Sequence, residues 1–221
     1  MNVKEILSYC DHTLLLQTAT KDEIIALCDD AIKYQTASVC IPPCYVRLAS
    51  EYLKGRVSVC TVIGFPNGNT TSECKAFETK QAVENGADEI DMVINIGALR
   101  SGDIEYLKND ILAVRNECIG KVLKVIIETC LLTDDEKKLM CKIVHECNAD
   151  YIKTSTGFSK SGATVQDVKI FAENRPEGLK IKAAGGISSI EDATEFLNLG
   201  ASRLGTSRIV KLAKEMEEND K

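Results

Sequence analysis

The amino-acid sequence predicts an α/β protein: a single (β/α)8 (TIM) barrel with a short N-terminal helix, one domain over residues 1–221. Three observations carry that prediction. Strand-like and helix-like segments alternate eight times, the connections between them are short, and no linker or low-complexity stretch interrupts them. Regular alternation of this kind gives parallel strands, and eight units are enough to close a sheet on itself. A doubly wound open sheet is the runner-up. No Gly-x-Gly-x-x-Gly follows a strand, so the dinucleotide fingerprint of such sheets is missing.

The elements follow in order. Residues 3–9 form a short helix, and 11–16 a short apolar strand. Thr20 and Glu23 have capping-box spacing and open a helix to about residue 34. Residues 37–41 are a strand stopped by Pro42-Pro43, and a helix follows to about 54. The β-branched run 57–63 is a strand. A loop over 64–69 leads to a helix capped by Thr70 and Glu73 and ended by Asn85-Gly86. Strands over 88–96 and 122–128 bracket a helix from 103 to about 119. Thr133 and Glu136 cap the next helix, to about 147. The strand 151–155, a helix from Thr164 to near Pro176, the strand 179–184, a helix over 189–199, the strand 202–205 and a final helix from about Ser207 complete the chain.

Composition narrows the function. Hydrophobic residues make up 44% and charged residues 27%, with a net charge of −6 and the two signs interspersed. No basic stripe exists for nucleic acid. No apolar run approaches the ~18 residues of a membrane span, and Met1–Glu5 carries no signal core. The expectation is a cytoplasmic protein whose partner is a small molecule. Ten cysteines occur without a Cys-x-x-Cys pair. Cys28, Cys60 and Cys130 sit among apolar neighbours, where a thiol acts as a small hydrophobe. Reduced packing cysteines are therefore expected, with no metal site.

Strand parity is more informative. Side chains alternate faces along a strand. Ile90, Met92 and Ile94 share one face and Asp91 takes the other. Lys124 and Glu128 lie opposite Val125 and Ile127, Lys153 opposite Ile152, and Lys180 and Lys182 opposite Ile181. If the apolar face meets the helices, Asp91, Lys124, Glu128, Lys153, Lys180 and Lys182 project into the barrel. Burying unpaired charge costs several kcal/mol per ion, as an order of magnitude, so such a cluster is mutually paired or functional. A polar plug of ion pairs predicts balanced charge. Here lysines exceed acids, and an excess of buried ammonium lowers lysine pKa values. A lysine so lowered attacks carbonyls to form a Schiff base, and Asp91 is a carboxylate placed to move protons.

The loops after the last strands, 184–188 and 205–208, combine glycines, hydroxyls and helix starts, the composition of a phosphate cradle. Thr156 and Gly157 add a third piece. Inward lysines beside such a cradle point to aldehyde or ketone chemistry on a sugar phosphate.

Val62–Pro66, Gly86–Asn95, Leu123–Thr129, Tyr151–Phe158 and Lys180–Ile187 strongly resemble the deoxyribose-phosphate aldolase family, in order and over nearly the whole chain. The resemblance implies a class I aldolase needing no metal or cofactor. Such an enzyme reversibly cleaves 2-deoxy-D-ribose 5-phosphate to D-glyceraldehyde 3-phosphate and acetaldehyde, in deoxyribonucleoside breakdown. It makes Lys153 the Schiff-base lysine, Lys182 a second lysine that lowers the pKa of the first, and Asp91 the proton-transfer acid. It sets the phosphate against Gly157, Gly185, Gly186, Thr206 and Ser207, and places Thr13 and Cys40 near the sugar end. Barrels of this kind often form homodimers, although no face of the sequence announces an interface. Four departures stand out: Leu16-Gln17 for a common Lys-Pro, Ile41-Pro42-Pro43, Asn67-Gly68-Asn69, and a tail over 214–221 without the tyrosine some members use in proton transfer. Two other readings compete. A sugar-phosphate isomerase or cyclase needs a carboxylate or histidine base, and only His12 and His145 are present. In a non-enzymatic binding protein the lysines would merely hold phosphate.

Overall fold

The computed structural model describes residues 1–219. Eight strands, β1 (Cys10–Thr13), β2 (Ser38–Ile41), β3 (Ser58–Ile63), β4 (Glu89–Val93), β5 (Val122–Ile126), β6 (Tyr151–Lys153), β7 (Lys180–Ala184) and β8 (Arg203–Gly205), pair in sequence order, and β8 returns to β1 to close a parallel barrel. Around it lie α1 (Val3–Leu7), α2 (Lys21–Tyr34), α3 (Val46–Leu53), α4 (Ser72–Glu84), α5 (Ile96–Arg100), α6 (Ile104–Glu117), α7 (Asp134–Glu146), α8 (Val165–Asn174), α9 (Ile190–Asn198) and α10 (Arg208–Asn219). Of the tail singled out above, Asp220 and Lys221 lie outside the described residues. Among the described residues no helix is long and apolar enough to cross a membrane.

The helix starts are dictated locally. Thr20 and Thr133 form reciprocal capping boxes with Glu23 and Glu136. The α4 cap sits one residue later than its spacing suggested: Thr71, not Thr70, accepts the Cys74 amide. Pro43 opens a 3-10 turn over Pro43–Tyr45 before α3 begins. The strand expected over 88–96 stops at Val93, because Asn95 turns its side chain onto the Ala98 amide and starts α5. Similarly, β6 ends at Lys153, and Thr154 and Ser155 already belong to the loop above it.

Parity holds around the barrel. Val39, Ile41, Ile90, Met92, Val125, Ile152, Ile181 and Leu204 belong to the apolar core between sheet and helices. Each such aliphatic side chain contributes about 1.5–3 kcal/mol on full burial. A wholly buried ion pair interrupts that outer layer: Lys75 of α4 donates to Asp110 of α6 at 2.6 Å and to the Val93 carbonyl at 2.9 Å.

Candidate active site

The strand register brings the inward lysines together. Lys153 and Lys182 are direct partners across β6 and β7, while Asp91 pairs with Lys124 across β4 and β5. Lys153 and Lys182 each donate to the same oxygen of Asp91, Oδ2, at 2.7 Å. Lys124 donates to the other, Oδ1, at 2.8 Å. The network then extends to groups that parity did not single out. Asp11 binds Lys182, Ser38 donates to Asp11 at 2.8 Å, and Arg203 bridges Asp11 at 2.6 Å and Glu89 at 3.1 Å. Glu89 also takes Lys124 at 2.5 Å.

Two expectations need correction here. First, Lys180 has the right parity but the wrong height. It begins β7, is exposed, and places its ammonium 5.5 Å from the centre of the Tyr151 ring at the opposite end of the barrel from the cavity. Second, repulsion among the cations does not leave Lys124 or Lys182 with a lowered pKa. Asp11, Glu89 and Asp91 lie among Lys124, Lys153, Lys182 and Arg203, so the cluster is close to balanced. Burial works against charge on Lys124 and Lys182, but the carboxylates outweigh it and hold both lysines above their usual range. Burial likewise works to raise Asp91, yet its ammonium neighbours, Lys124 first, keep it well below the carboxylate range. Lys182 is thus a fixed positive charge beside Lys153, and the polar plug is real except at its upper edge.

That edge opens to a cavity of about 370 Å³. Lys153 forms its floor. Thr13, Gly157, Gly185, Gly186, Thr206 and Ser207, all singled out from the sequence, line its walls. Lys182, Asp91 and Cys40 do not reach the cavity wall. All three are fully buried. Three loops converge because their backbones touch. A Cβ on Gly162 would lie 2.2 Å from the Gly185 carbonyl carbon, and Gly185 itself has φ +77°, so side chains are excluded at both. At Gly205 a Cβ would come within 3.2 Å of Lys182 Cε.

Glu128 stands apart from the ion-pair cluster. Its left-handed backbone, φ +54°, swings the carboxylate onto the Thr156 hydroxyl and amide, bracing the loop that carries Gly157. Arg208 belongs to the 205–208 loop but was given no role of its own from the sequence. It opens α10, lines the cavity and pairs with Glu215 at 3.2 Å, so it adds a cation to the hydroxyl and glycine cradle. The signal was its place directly after Ser207 at a helix start.

Cys60 is not a core hydrophobe as its neighbours suggested. It donates to Asp91 at 3.2 Å and accepts from Lys124 at 3.3 Å. Burial, and then the Cys40 and Asp91 beside it, push its thiol well up. Its hydrogen bond to Cys40 in turn lowers that thiol. Cys130 is half-exposed near Ser159, whereas Cys28 is buried in the core. Donor atoms of Cys40, Cys60 and Asp91 lie within 4.8 Å of one another. That spacing could admit a cation, but three ammonium groups already compensate Asp91, so a divalent ion there meets strong repulsion. Chemically, the arrangement offers an amine at the floor of a cavity ringed by glycine backbone, hydroxyls and Arg208, a carboxylate one hydrogen bond away, and a permanent charge next to both.

The DeoC/LacD family aldolase model matches residues 6–205. A deoxyribose-phosphate aldolase of Streptococcus pyogenes is 55% identical over 97% of this chain and 96% of its own. Among solved structures, the tetrameric deoxyribose phosphate aldolase of Aeropyrum pernix is 31% identical with a TM-score of 0.90, covering 99% of this chain and 93% of that one. Orotidine 5'-phosphate decarboxylase of Pyrococcus horikoshii, 12% identical with a TM-score of 0.67 over 91% of this chain and 96% of its own, shares the fold alone.

Proposed function

This chain belongs to the DeoC/LacD family of aldolases, and on that premise we propose that it reversibly cleaves 2-deoxy-D-ribose 5-phosphate to D-glyceraldehyde 3-phosphate and acetaldehyde through a Schiff base on Lys153. One observation carries the assignment of residues: the Lys153 and Lys182 amines meet on a single Asp91 oxygen directly beneath the glycine and hydroxyl cradle.

Lys153 sheds a proton and adds to C1 of the open-chain sugar, and loss of water gives an iminium. Asp91, 2.7 Å away, is the acceptor within reach of that proton. Held far below its usual pKa, Asp91 passes protons on rather than keeping them. Transfer of the C3 hydroxyl proton to Asp91, through a water it orients, lets the C2–C3 bond break. Its electron pair moves into the iminium to form an enamine, and glyceraldehyde 3-phosphate departs. A proton returned to C2, from Asp91 or a water it orients, and hydrolysis then release acetaldehyde. Lys182 supplies unvarying positive charge beside these steps. Gly157, Gly185, Gly186, Thr206 and Ser207 hold the phosphate through amides and hydroxyls, with Arg208 at the rim. Thr13 faces the sugar from β1, and Cys40 underlies it. No metal or cofactor enters this scheme.

Such a substrate and ten free thiols fit a cytoplasmic setting. The Aeropyrum pernix relative is a tetramer, and a homodimer is the smallest closed assembly proposed for this chain. A monomer in sedimentation at micromolar concentration would count against it. The chemical test is reduction with borohydride in the presence of acetaldehyde, followed by peptide mass mapping. The expected result is an ethyl group on Lys153. An unmodified Lys153 peptide, or the label on Lys182, overturns the assignment.

A further inference from the structure

We propose that a second cavity, beside the first, is an acceptor subsite for the alkyl chain of unphosphorylated, medium-length aldehydes. The idea rests on the reading of Lys153 as the Schiff-base lysine. The second cavity measures about 310 Å³ and lies over the loops that follow β1, β2 and β3. It shares Leu15, Leu16 and Phe158 with the Lys153 cavity, so one wall serves both. Its volume is at the low end of the roughly 300–1,000 Å³ of small-molecule sites.

The two cavities differ in chemistry. The first is ringed by glycine amides, hydroxyls and Arg208. The second is walled by Leu15, Pro42, Pro43, Val62, Phe65 and Phe158, the last two rings packed edge to face at 5.3 Å. Two of its polar groups are engaged with the protein: the Tyr45 hydroxyl donates to the Ala19 carbonyl at 2.7 Å, and Glu78 accepts the Gly64 amide at 2.7 Å. Glu78 is the one charged residue on its wall. A carboxylate there repels phosphate, which selects a neutral occupant. A neutral chain running past Leu15 and Phe158 keeps its carbonyl on the Lys153 side.

In the reaction, the acetaldehyde enamine on Lys153 forms a bond from its C2 to the carbonyl carbon of hexanal. The carbonyl oxygen takes a proton to become the hydroxyl, and water hydrolyses the iminium to free Lys153 and 3-hydroxyoctanal. No oxidant or reductant is needed.

The test measures kcat/KM for propanal, butanal and hexanal as acceptors with acetaldehyde, by mass spectrometry of the product, beside cleavage of deoxyribose 5-phosphate. Burial of the chain should raise kcat/KM by up to about fourfold per methylene, so hexanal should exceed propanal by at least about tenfold. Ala19→Trp, which fills the cavity from its rim, and Pro43→Asp, which charges its wall, should each erase that preference. Both should leave deoxyribose 5-phosphate cleavage within about twofold. A flat chain-length profile with cleavage intact overturns the subsite alone, as does a preference that survives both substitutions. Absent cleavage of deoxyribose 5-phosphate overturns the substrate reading instead. A hexanal preference erased by the two variants would still support the subsite in that case.

Discussion

Two buried lysines of this protein make the same contact in different surroundings. Lys75 donates to Asp110 at 2.6 Å, and Lys153 to Asp91 at 2.7 Å. Around Lys75 the protein supplies partners on both sides of the pair. Its ammonium also takes the Val93 carbonyl, and Ser72 donates to the second oxygen of Asp110 at 2.9 Å. Burial lowers the Lys75 pKa, opposed by Asp110. The pair is sealed between β4, α4 and α6. Lys153 instead shares its carboxylate oxygen with a second lysine and forms the floor of a cavity. On the proposed chemistry, what sets Lys153 apart from Lys75 is not burial but a shared acceptor and one open side.

Substitution at the two positions should separate those roles. Lys153→Met is expected to lower kcat on the order of 10⁴-fold or more, as loss of a covalent nucleophile does, with the fold intact by circular dichroism. Residual turnover within tenfold of the parent would break the comparison. Lys75→Met strands Asp110 in the apolar layer and should destabilise the protein by about 3–5 kcal/mol. Urea unfolding measures that loss. Turnover of the folded fraction should stay within about twofold, and a large fall in kcat would place Lys75 in the chemistry as well.

Lys182→Leu sharpens the contrast from within the network. It removes the fixed charge beside Lys153 and leaves Asp11 and Asp91 each short of a partner. The rate should fall by about 10²–10³-fold, the range for loss of one preorganised electrostatic stabiliser. The rising limb of the pH–rate profile should also move to higher pH, since the ammonium that favours an uncharged neighbour is gone. A lower rate on an unmoved profile would make Lys182 a merely structural member of the plug.

Much of this was legible because strand parity is local. Ile90, Met92, Val125, Ile152 and Ile181 mark an outward face without knowledge of any partner strand, and that places Asp91, Lys124, Lys153 and Lys182 inside. The loops that line the cavity were legible for a similar reason, since glycine, hydroxyl and helix-start signals are each short-range. What parity cannot supply is height. Lys180 and Lys182 share a face, but two residues of rise along β7, about 6.6 Å, put the first at the exposed strand start and the second in the buried centre. Nor does it help where neither face is plainly apolar. In Cys10-Asp11-His12-Thr13 the outward residues are a thiol and an imidazole, so Asp11 left no directional signal. Its absence from the expected cluster, with Glu89 and Arg203, made the interior look richer in positive charge than it is.

That same strand offers the smallest and cleanest test. Asp11 and His12 are adjacent in β1 and point to opposite faces. Asp11 is buried among cations and held ionised, whereas His12 is buried at the helix side with weaker compensation. Burial lowers the His12 pKa from 6.5 to about 4, against the pull of Asp30 at 3.6 Å and with a small push from Lys214. The folded value lies below the unfolded one, so the neutral imidazole is the form the fold favours. Above pH 6.5 both states are neutral and the fold keeps its full stability. Between pH 6.5 and about 4 the unfolded chain takes up the proton first, and stability falls by about 3 kcal/mol in all. His12→Gln should remove that part of the acid slope in urea unfolding measured across the window. The steeper loss at lower pH, where Asp11 and Asp91 are protonated, should remain. An unchanged slope between pH 6.5 and 4 would mean that Asp30 compensates the imidazolium in full, and that burial on the outer face of β1 costs the charge no more than burial in the plug.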